Sequence, residues 1–384
     1  MNDTVVVLDN GASTIKAGIV NGEDESPRII SNAVVRSKGD KMTYFGHEFA
    51  GCTDYSSLHY RLPFEKGYLV DWDAQKAVWD GIFSSEVLGI NTTESSLLIT
   101  EPYFNITNLQ EVYDQFVFEE YEFQAYYRCT PASLVPYGIL FSQPDLPSAE
   151  CVVVVDSGFS YTHVVPLLDG KIVWSAVKRL DVGGKLLTNQ LKELVSFRQW
   201  NMMDETYIMN DVKESCCYVS QSFKSLDQSG LSATIAHSIC LLPKDLQGMF
   251  WANIGLIGGT TKFTGFRSRL MSELQSLAPT DCDVRVYECD DPITEAYRSA
   301  VAFASMPGFT QHVVTRAEYA ESGSNASRRK FHDWKPRESE KEKPKEVTKA
   351  KGKQREDDRS QAPSKPTRTR SKLTTNSTTA ARRR

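Results

Sequence analysis

The chain has 384 residues, 40% of them hydrophobic and 24% charged, with a formal net charge of −5. That balance excludes collagen, a coiled coil and wholesale disorder, and the length predicts two or three compact units. No apolar run reaches the roughly 18 residues of a membrane-spanning helix, and Met1-Asn2-Asp3-Thr4-Val5 lacks the basic region of a secretory signal.

In chain order, Val5-Val6-Val7-Leu8 is a continuous apolar run, as a strand buried on both faces requires. Lys16-Ala17-Gly18-Ile19-Val20 is its hairpin partner. Val70-Asp71-Trp72-Asp73 opens a helix, with Asp73 as the N-cap and Val78, Trp79 and Ile82 on one face. Leu97-Leu98-Ile99-Thr100 reads as a strand that stops at Glu101-Pro102. Leu109, Val112, Tyr113 and Phe116 fall at helical spacing and predict a core-facing stripe. The aromatic stretch Tyr121, Phe123, Tyr126 and Tyr127 reads as core, with a partner surface as the competing reading. A second buried strand spans 152–155, followed by strands over 161–167 and 171–177. Helices are expected over 186–197 and 205–220, a strand over 254–257 and a helix over 265–277. The eight cysteines form no CxxC pair and read as free, buried thiols in a reducing compartment.

The composition changes at Gly323. From there to Arg384 there are 20 Lys+Arg against 8 Asp+Glu, while the rest of the chain has 24 against 41. An acidic body thus precedes a basic tail. The tail is too poor in apolar residues to offset chain entropy, so 323–384 is expected to be disordered. Its end, Ala-Ala-Arg382-Arg383-Arg384, suits nuclear targeting or nucleic acid as well as it suits a solvated terminus.

One unit occurs twice. Val5-Val6-Val7-Leu8-Asp9-Asn10-Gly11-Ala12-Ser13 matches Val152-Val153-Val154-Val155-Asp156-Ser157-Gly158-Phe159-Ser160, 147 positions further on. Each is a buried strand, then Asp-x-Gly-x-Ser, then a second strand, which predicts two related halves facing each other. A Gly-rich turn between paired strands gathers backbone N–H groups into a concavity that suits phosphate. Ser13 and Thr14 add hydroxyl donors and Lys16 a point charge. Asp9 and Asp156 cannot face phosphate directly and would hold a hydrated Mg²⁺ through water. Gly258-Gly259-Thr260 follows the 254–257 strand and permits close approach of a flat ligand such as adenine or ribose; a tight strand-to-helix turn is the plainer reading. Lys213 and Glu214 can line the same cleft. Gly183-Gly184 begins the 186–197 helix, a position suited to phosphate or ribose.

These residues resemble the actin family over roughly 4–322. The resemblance is carried by Leu8-Asp9-Asn10-Gly11 with Lys16-Ala17-Gly18, Asp156-Ser157-Gly158 with Thr162-His163, Asp211-Val212-Lys213-Glu214, Gly258-Gly259-Thr260-Thr261 and Thr315-Arg316-Ala317-Glu318-Tyr319. It implies the α/β two-lobed fold shared with heat-shock chaperones and sugar kinases, with duplicated halves around a nucleotide cleft: a first lobe at 1–150, a second at 151–322, then the tail. Arg61-Leu62-Pro63-Phe64-Glu65-Lys66-Gly67-Tyr68, Thr100-Glu101-Pro102-Tyr103-Phe104-Asn105 and Val182-Gly183-Gly184-Lys185 are most similar to the nuclear members. That implies a structural subunit of a chromatin-remodelling assembly that exchanges a 2A-type core histone for its Z variant, while a separate motor hydrolyses ATP. The implied neighbours are an insert of the motor, a small zinc-finger-type subunit and histones or the nucleosome, with DNA on the tail and no membrane. The implied location is the nucleus, with the cytoplasm also open.

The departures bear on chemistry. Conventional actins orient the attacking water with a glutamine; the matching residue here is Pro131, which has no side-chain donor or acceptor. Phe159 stands where actin has an acid, Asn210 replaces an arginine, and Ile293 stands nearest the expected adenine-side lysine. No catalytic residue is therefore expected, and bound ATP or ADP with Mg would be a structural ligand. An actin-fold ATPase or a cytoskeletal filament protein is the alternative. Only 43 residues separate Glu214 from Gly258. Actins place far more there, so 220–250 reads either as a reduced subdomain or as a segment dropped from the gene model.

Overall fold

The computed structural model describes residues 4–22, 26–142, 149–198, 200–221 and 230–331. All of them lie in one compact unit that spans Met1–Lys335. Two sheets organise it. The first has six strands in the order Val314–Thr315, Ala125–Cys129, Ser95–Thr100, Thr4–Asn10, Thr14–Ile19 and Arg28–Ser31. The second runs Lys171–Ile172, Thr162–Leu168, Cys151–Ser157, Ile254–Ile257 and Val286–Glu288, with Lys178–Leu180 pairing to Thr162–Leu168.

Each sheet is built the same way. An antiparallel hairpin comes first, Thr4–Asn10 with Thr14–Ile19 and Cys151–Ser157 with Thr162–Leu168. A strand that returns much later then pairs in parallel with the hairpin's first strand, Ser95–Thr100 in one sheet and Ile254–Ile257 in the other. The apolar runs follow from burial on both faces. Val6 and Leu8 enter one core with Trp79 and Tyr113, while Val7 enters another with Leu98, Tyr297 and Phe303. Val153 and Val155 pack with Ile235, Ile239 and Trp251, and Val152 and Val154 with Tyr103, Ala132 and Phe141. A small sheet of Thr43–Phe45, Val34–Ser37 and Leu58–Arg61 closes on Val35 and Leu58.

Several expectations are corrected. Asp71, not Asp73, caps the helix Trp72–Phe83, because its carboxylate accepts from the Ala74 amide. The strand expected over 171–177 stops at Ile172: the chain turns, with the Ala176 amide donating to the Val173 carbonyl, and pairing resumes at Lys178. The helix expected over 205–220 is Thr206–Cys216, since Tyr218 leaves to bridge Thr264. Of the cysteines, all free, Cys52, Cys129 and Cys151 are buried, whereas Cys216 and Cys240 are exposed.

The lobe boundaries differ too. The helix Glu295–Ala304 and the strand Val314–Thr315 join the cores and edge of the first sheet, so the first lobe takes back chain expected in the second. The basic tail does not begin at 323. Asn325–Lys330 is helical, and Phe331, 3% exposed, packs 5.5 Å from Tyr126 and 5.4 Å from Tyr127. One aromatic and Ala326 are enough to anchor that turn on an existing core, helped by a Lys330–Glu318 pair at 2.8 Å. The rest of the tail, from 332, lies outside the described residues, as does 222–229 within the shortened stretch. Phe123 and Tyr126 are fully buried, which assigns the aromatic stretch to the core.

Candidate functional site

Both hairpin turns open into one cleft of about 750 Å³. The site residues singled out from the sequence line it, Gly183 excepted: Asp9, Gly11, Ser13, Thr14 and Lys16 from the first hairpin, Asp156 and Gly158 from the second, Gly184, Lys213 and Glu214 from two helices, and Gly258, Gly259 and Thr260 from the turn after Ile254–Ile257. Glycine is required at two of these turns. A Cβ on Gly11 would lie 2.7 Å from the Thr14 carbonyl oxygen, and Gly258 has φ +91° with a Cβ position 2.4 Å from the Ser157 oxygen.

The two hairpins hold their acids differently. Asp9 pairs in register with Lys16, and the Lys16 Nζ lies 3.2 Å from its Oδ2. The Thr100 hydroxyl donates to Asp9 Oδ1 at 2.9 Å and accepts from the Asn10 amide at 2.9 Å. Asp156 pairs in the same register with His163. Its Oδ2 accepts from the Tyr103 hydroxyl at 2.8 Å, and that hydroxyl accepts from the Ala132 amide at 3.0 Å. Burial pushes Asp156 up to about 6; the Tyr103 hydrogen bond opposes this, nearby Asp9 adds to it and Lys16 subtracts. Burial, and then Arg179, lower His163 to about 3, so its ring is neutral, with its centroid 4.4 Å from that of Tyr103.

On the second lobe, Lys213 donates to Asn210 Oδ1 at 2.6 Å and to Thr188 Oγ1 at 3.1 Å, and Asn210 donates to Glu214 at 2.6 Å. Burial lowers Lys213, against the pull of Glu214. The helix Gly184–Arg198 brings Gly184 to the cleft as expected, but its first two amides are not free for a ligand. The Gly184 amide donates to the Gly158 carbonyl and the Lys185 amide to the Phe159 carbonyl, so these two amides brace the second turn instead of meeting an anion. Thr260 braces the same turn through Gly158, at 3.0 Å. Outside the lining of the cleft, Tyr55 stacks on Tyr207 at 4.5 Å and Ser57 donates to Glu205, so residues near the small sheet touch the second lobe.

A hydrated divalent cation fits this floor only through water. Asp9 is engaged by Lys16 and Thr100, Asp156 by Tyr103, and no cluster of three metal-ligating side chains occurs among the described residues. Two carboxylates from opposite sheets, close enough to affect each other, suit the water shell of Mg²⁺ better than direct coordination.

Sequence reasoning missed Thr100, Tyr103 and Lys262. Thr100 and Tyr103 stand at and just beyond a strand end, and their roles depend on partners far along the chain. Lys262 lines the cleft and pairs with Asp291 at 3.2 Å, placing a lysine near Ile293, where none was expected.

Duplicated hairpin-plus-parallel-strand sheets, with an acid at each hairpin bend and a cleft between them, define the actin architecture, and the family model described as Actin matches residues 2–230 and 224–332. The chain belongs to the actin family. It is 42% identical to actin-like protein ARP6 of Cryptococcus neoformans var. neoformans over 413 residues, covering 85% of this chain and 84% of the relative. It is 36% identical to actin-like protein ARP6 of Yarrowia lipolytica, covering 85% and 97%, and 31% identical to actin-related protein 6 of Drosophila melanogaster, covering 84% and 98%. The two runs of the family match meet at 224–230, within the shortened stretch.

Proposed function

We propose that this chain is a non-catalytic, actin-related scaffold subunit of a nuclear chromatin-remodelling complex that exchanges a 2A-type core histone for its Z variant, with nucleotide and Mg²⁺ as a structural ligand. The observation that carries the non-catalytic part is Pro131. It lines the cleft at the first position of the short helix Pro131–Leu134, and its side chain offers a water neither a donor nor an acceptor. Positioning is most of what a protein contributes to phosphoryl transfer, so losing it leaves binding without turnover.

In this reading Lys16, Ser13, Thr14 and the two Gly turns take the phosphates. Asp9 and Asp156 hold the cation through its water shell, and the cation neutralises phosphate charge. Lys213, Glu214 and the 258–260 turn border the ribose and base. The assembly role rests on the likeness to nuclear actin-related proteins. The motor's insert, a zinc-finger-type subunit and histones are the partners, and the basic tail from 332 adds salt-dependent DNA contact.

Affinity purification of the tagged full chain from nuclear extract tests this. The expected result is co-purification with a remodelling motor and 2A-type histones, no pelleting with Mg-ATP and no turnover. Recovery in filaments, or steady hydrolysis by the pure chain, would overturn the proposal.

A further inference from the structure

The cleft floor holds an arrangement that scaffolding alone does not need. Tyr103, 5% exposed, follows the strand Ser95–Thr100 and joins three groups. Its hydroxyl donates to Asp156 and accepts from the Ala132 amide, and its ring lies against His163. Burial and the adjacent Asp156 hold its phenol proton on, well above the ordinary phenol range.

Hydrolysis of a nucleoside triphosphate needs a water in line behind the terminal phosphorus. The water oxygen forms a new P–O bond, the P–O bond to the diphosphate leaving group breaks, and the water's proton passes to an acceptor. With the phosphates between the two Gly turns, the polar groups beside Tyr103 at that floor include Asp156, His163 and the backbone next to Pro131. Tyr103 takes Oδ2 of Asp156 and the Ala132 amide, and its ring lies against that of His163, so one side chain already fills the space between these groups and engages two of them.

We infer that Tyr103 closes the hydrolytic position of the cleft, so that bound nucleoside triphosphate is retained uncleaved. The inference rests on the nucleotide-holding reading above and makes Tyr103 a positioning residue that acts through Asp156 and the 131–132 backbone. It also predicts that Pro131 is not the whole block: restoring a glutamine there changes little while Tyr103 stays in place.

The test uses the full chain as wild type, Tyr103→Phe, Pro131→Gln and the double variant. Mg-ATP affinity is read from thermal shift, bound nucleotide is identified by chromatography after denaturation, and phosphate release is followed in a single turnover. Wild type and Pro131→Gln should bind, retain triphosphate and release no phosphate above background. Tyr103→Phe should bind with affinity within about threefold of wild type yet cleave about tenfold faster, and the double variant faster still. A merely structural role for Tyr103 would move affinity and melting together and leave cleavage at background. Unchanged cleavage in folded, ligand-binding Tyr103→Phe overturns the inference alone. Should that variant fail to fold, cleavage by Pro131→Gln alone overturns it, and background cleavage there supports it. A wild type with neither thermal shift nor recoverable nucleotide removes the nucleotide reading, and this inference with it.

Discussion

The two hairpins are the same unit with different chemistry. Asp9 stands opposite Lys16 and Asp156 opposite His163, in the same register and at matched bends. In the first, a lysine 3.2 Å away neutralises the acid. In the second, the residue across the ladder is a buried, neutral imidazole, and the acid, pushed up to about 6, leans on a phenol. Duplication therefore preserved the geometry of the turn and not its electrostatics. One segment does much of the separating: Thr100 serves Asp9, and Tyr103, three residues on, serves Asp156.

The sharpest way to break this comparison is to remove the charge from the first hairpin. Lys16→Met would leave the nearly buried Asp9 carboxylate without its cation, a change that typically costs about 3–5 kcal/mol. Urea unfolding of that variant should show a large fall in midpoint, whereas His163→Gln at neutral pH, where the ring is uncharged, should cost far less. Equal losses at the two positions would mean that the hairpins are electrostatically alike after all.

Acid separates them more finely. His163 is held at about 3 in the folded protein against an ordinary 6.5, so the unfolded chain takes a proton that the fold refuses. Its contribution to stability is full above pH 6.5 and is lost as pH falls toward 3, by about 2 kcal/mol between pH 7 and pH 5. Asp156 slopes the other way. Its folded value of about 6 exceeds the ordinary 3.8, so its contribution is greatest at low pH and fades as pH rises through 6. In wild type the two partly cancel. His163→Gln removes the first, so its urea midpoint should fall less than that of wild type from pH 7 to pH 5, or rise. Parallel curves would show that His163 titrates normally in the fold.

The sequence shows some of this and hides the rest for physical reasons. Both central strands were legible because a strand buried on two faces must be an unbroken apolar run, and the Asp-x-Gly-x-Ser bends marked the cleft because glycine is required where Gly11 crowds the Thr14 carbonyl. Asp71 and Asp73 both suit a cap by composition, and only the backbone path decides which carboxylate meets the Ala74 amide. The return of Val314–Thr315 to the first sheet was not legible, since two residues carry no periodicity and the pairing spans the whole second lobe. The helix Asn325–Lys330 hid inside a basic composition because its anchor is a single aromatic, Phe331, on a surface made by Tyr126 and Tyr127. Tyr103 was visible as a residue and invisible as a partner, because Asp156 and Ala132 reach it only through the fold.

The smallest expected effect lies where Tyr55 and Ser57 meet Tyr207 and Glu205, so that the two lobes are joined by contact instead of by chain. Tyr55 and Tyr207 stack with 11° between their rings, and Glu205 accepts from both the amide and the hydroxyl of Ser57. Both tyrosines remain more than a third exposed, so solvent competes for much of this contact. A double-mutant cycle of Tyr55→Ala and Tyr207→Ala should give a coupling of about 0.5–1.5 kcal/mol, the range for aromatic pairs. A coupling indistinguishable from zero would mean that the lobes do not hold each other there. The consequence for the cleft is kinetic more than thermodynamic. The floor, tied by Tyr103 to both Asp156 and Ala132, keeps the lobes together when that contact is cut. If the cleft holds nucleotide as proposed, Tyr207→Ala should then leave melting almost unchanged while Mg-ATP dissociates faster, and the size of that acceleration measures how much of the closure this contact supplies and how much the floor does.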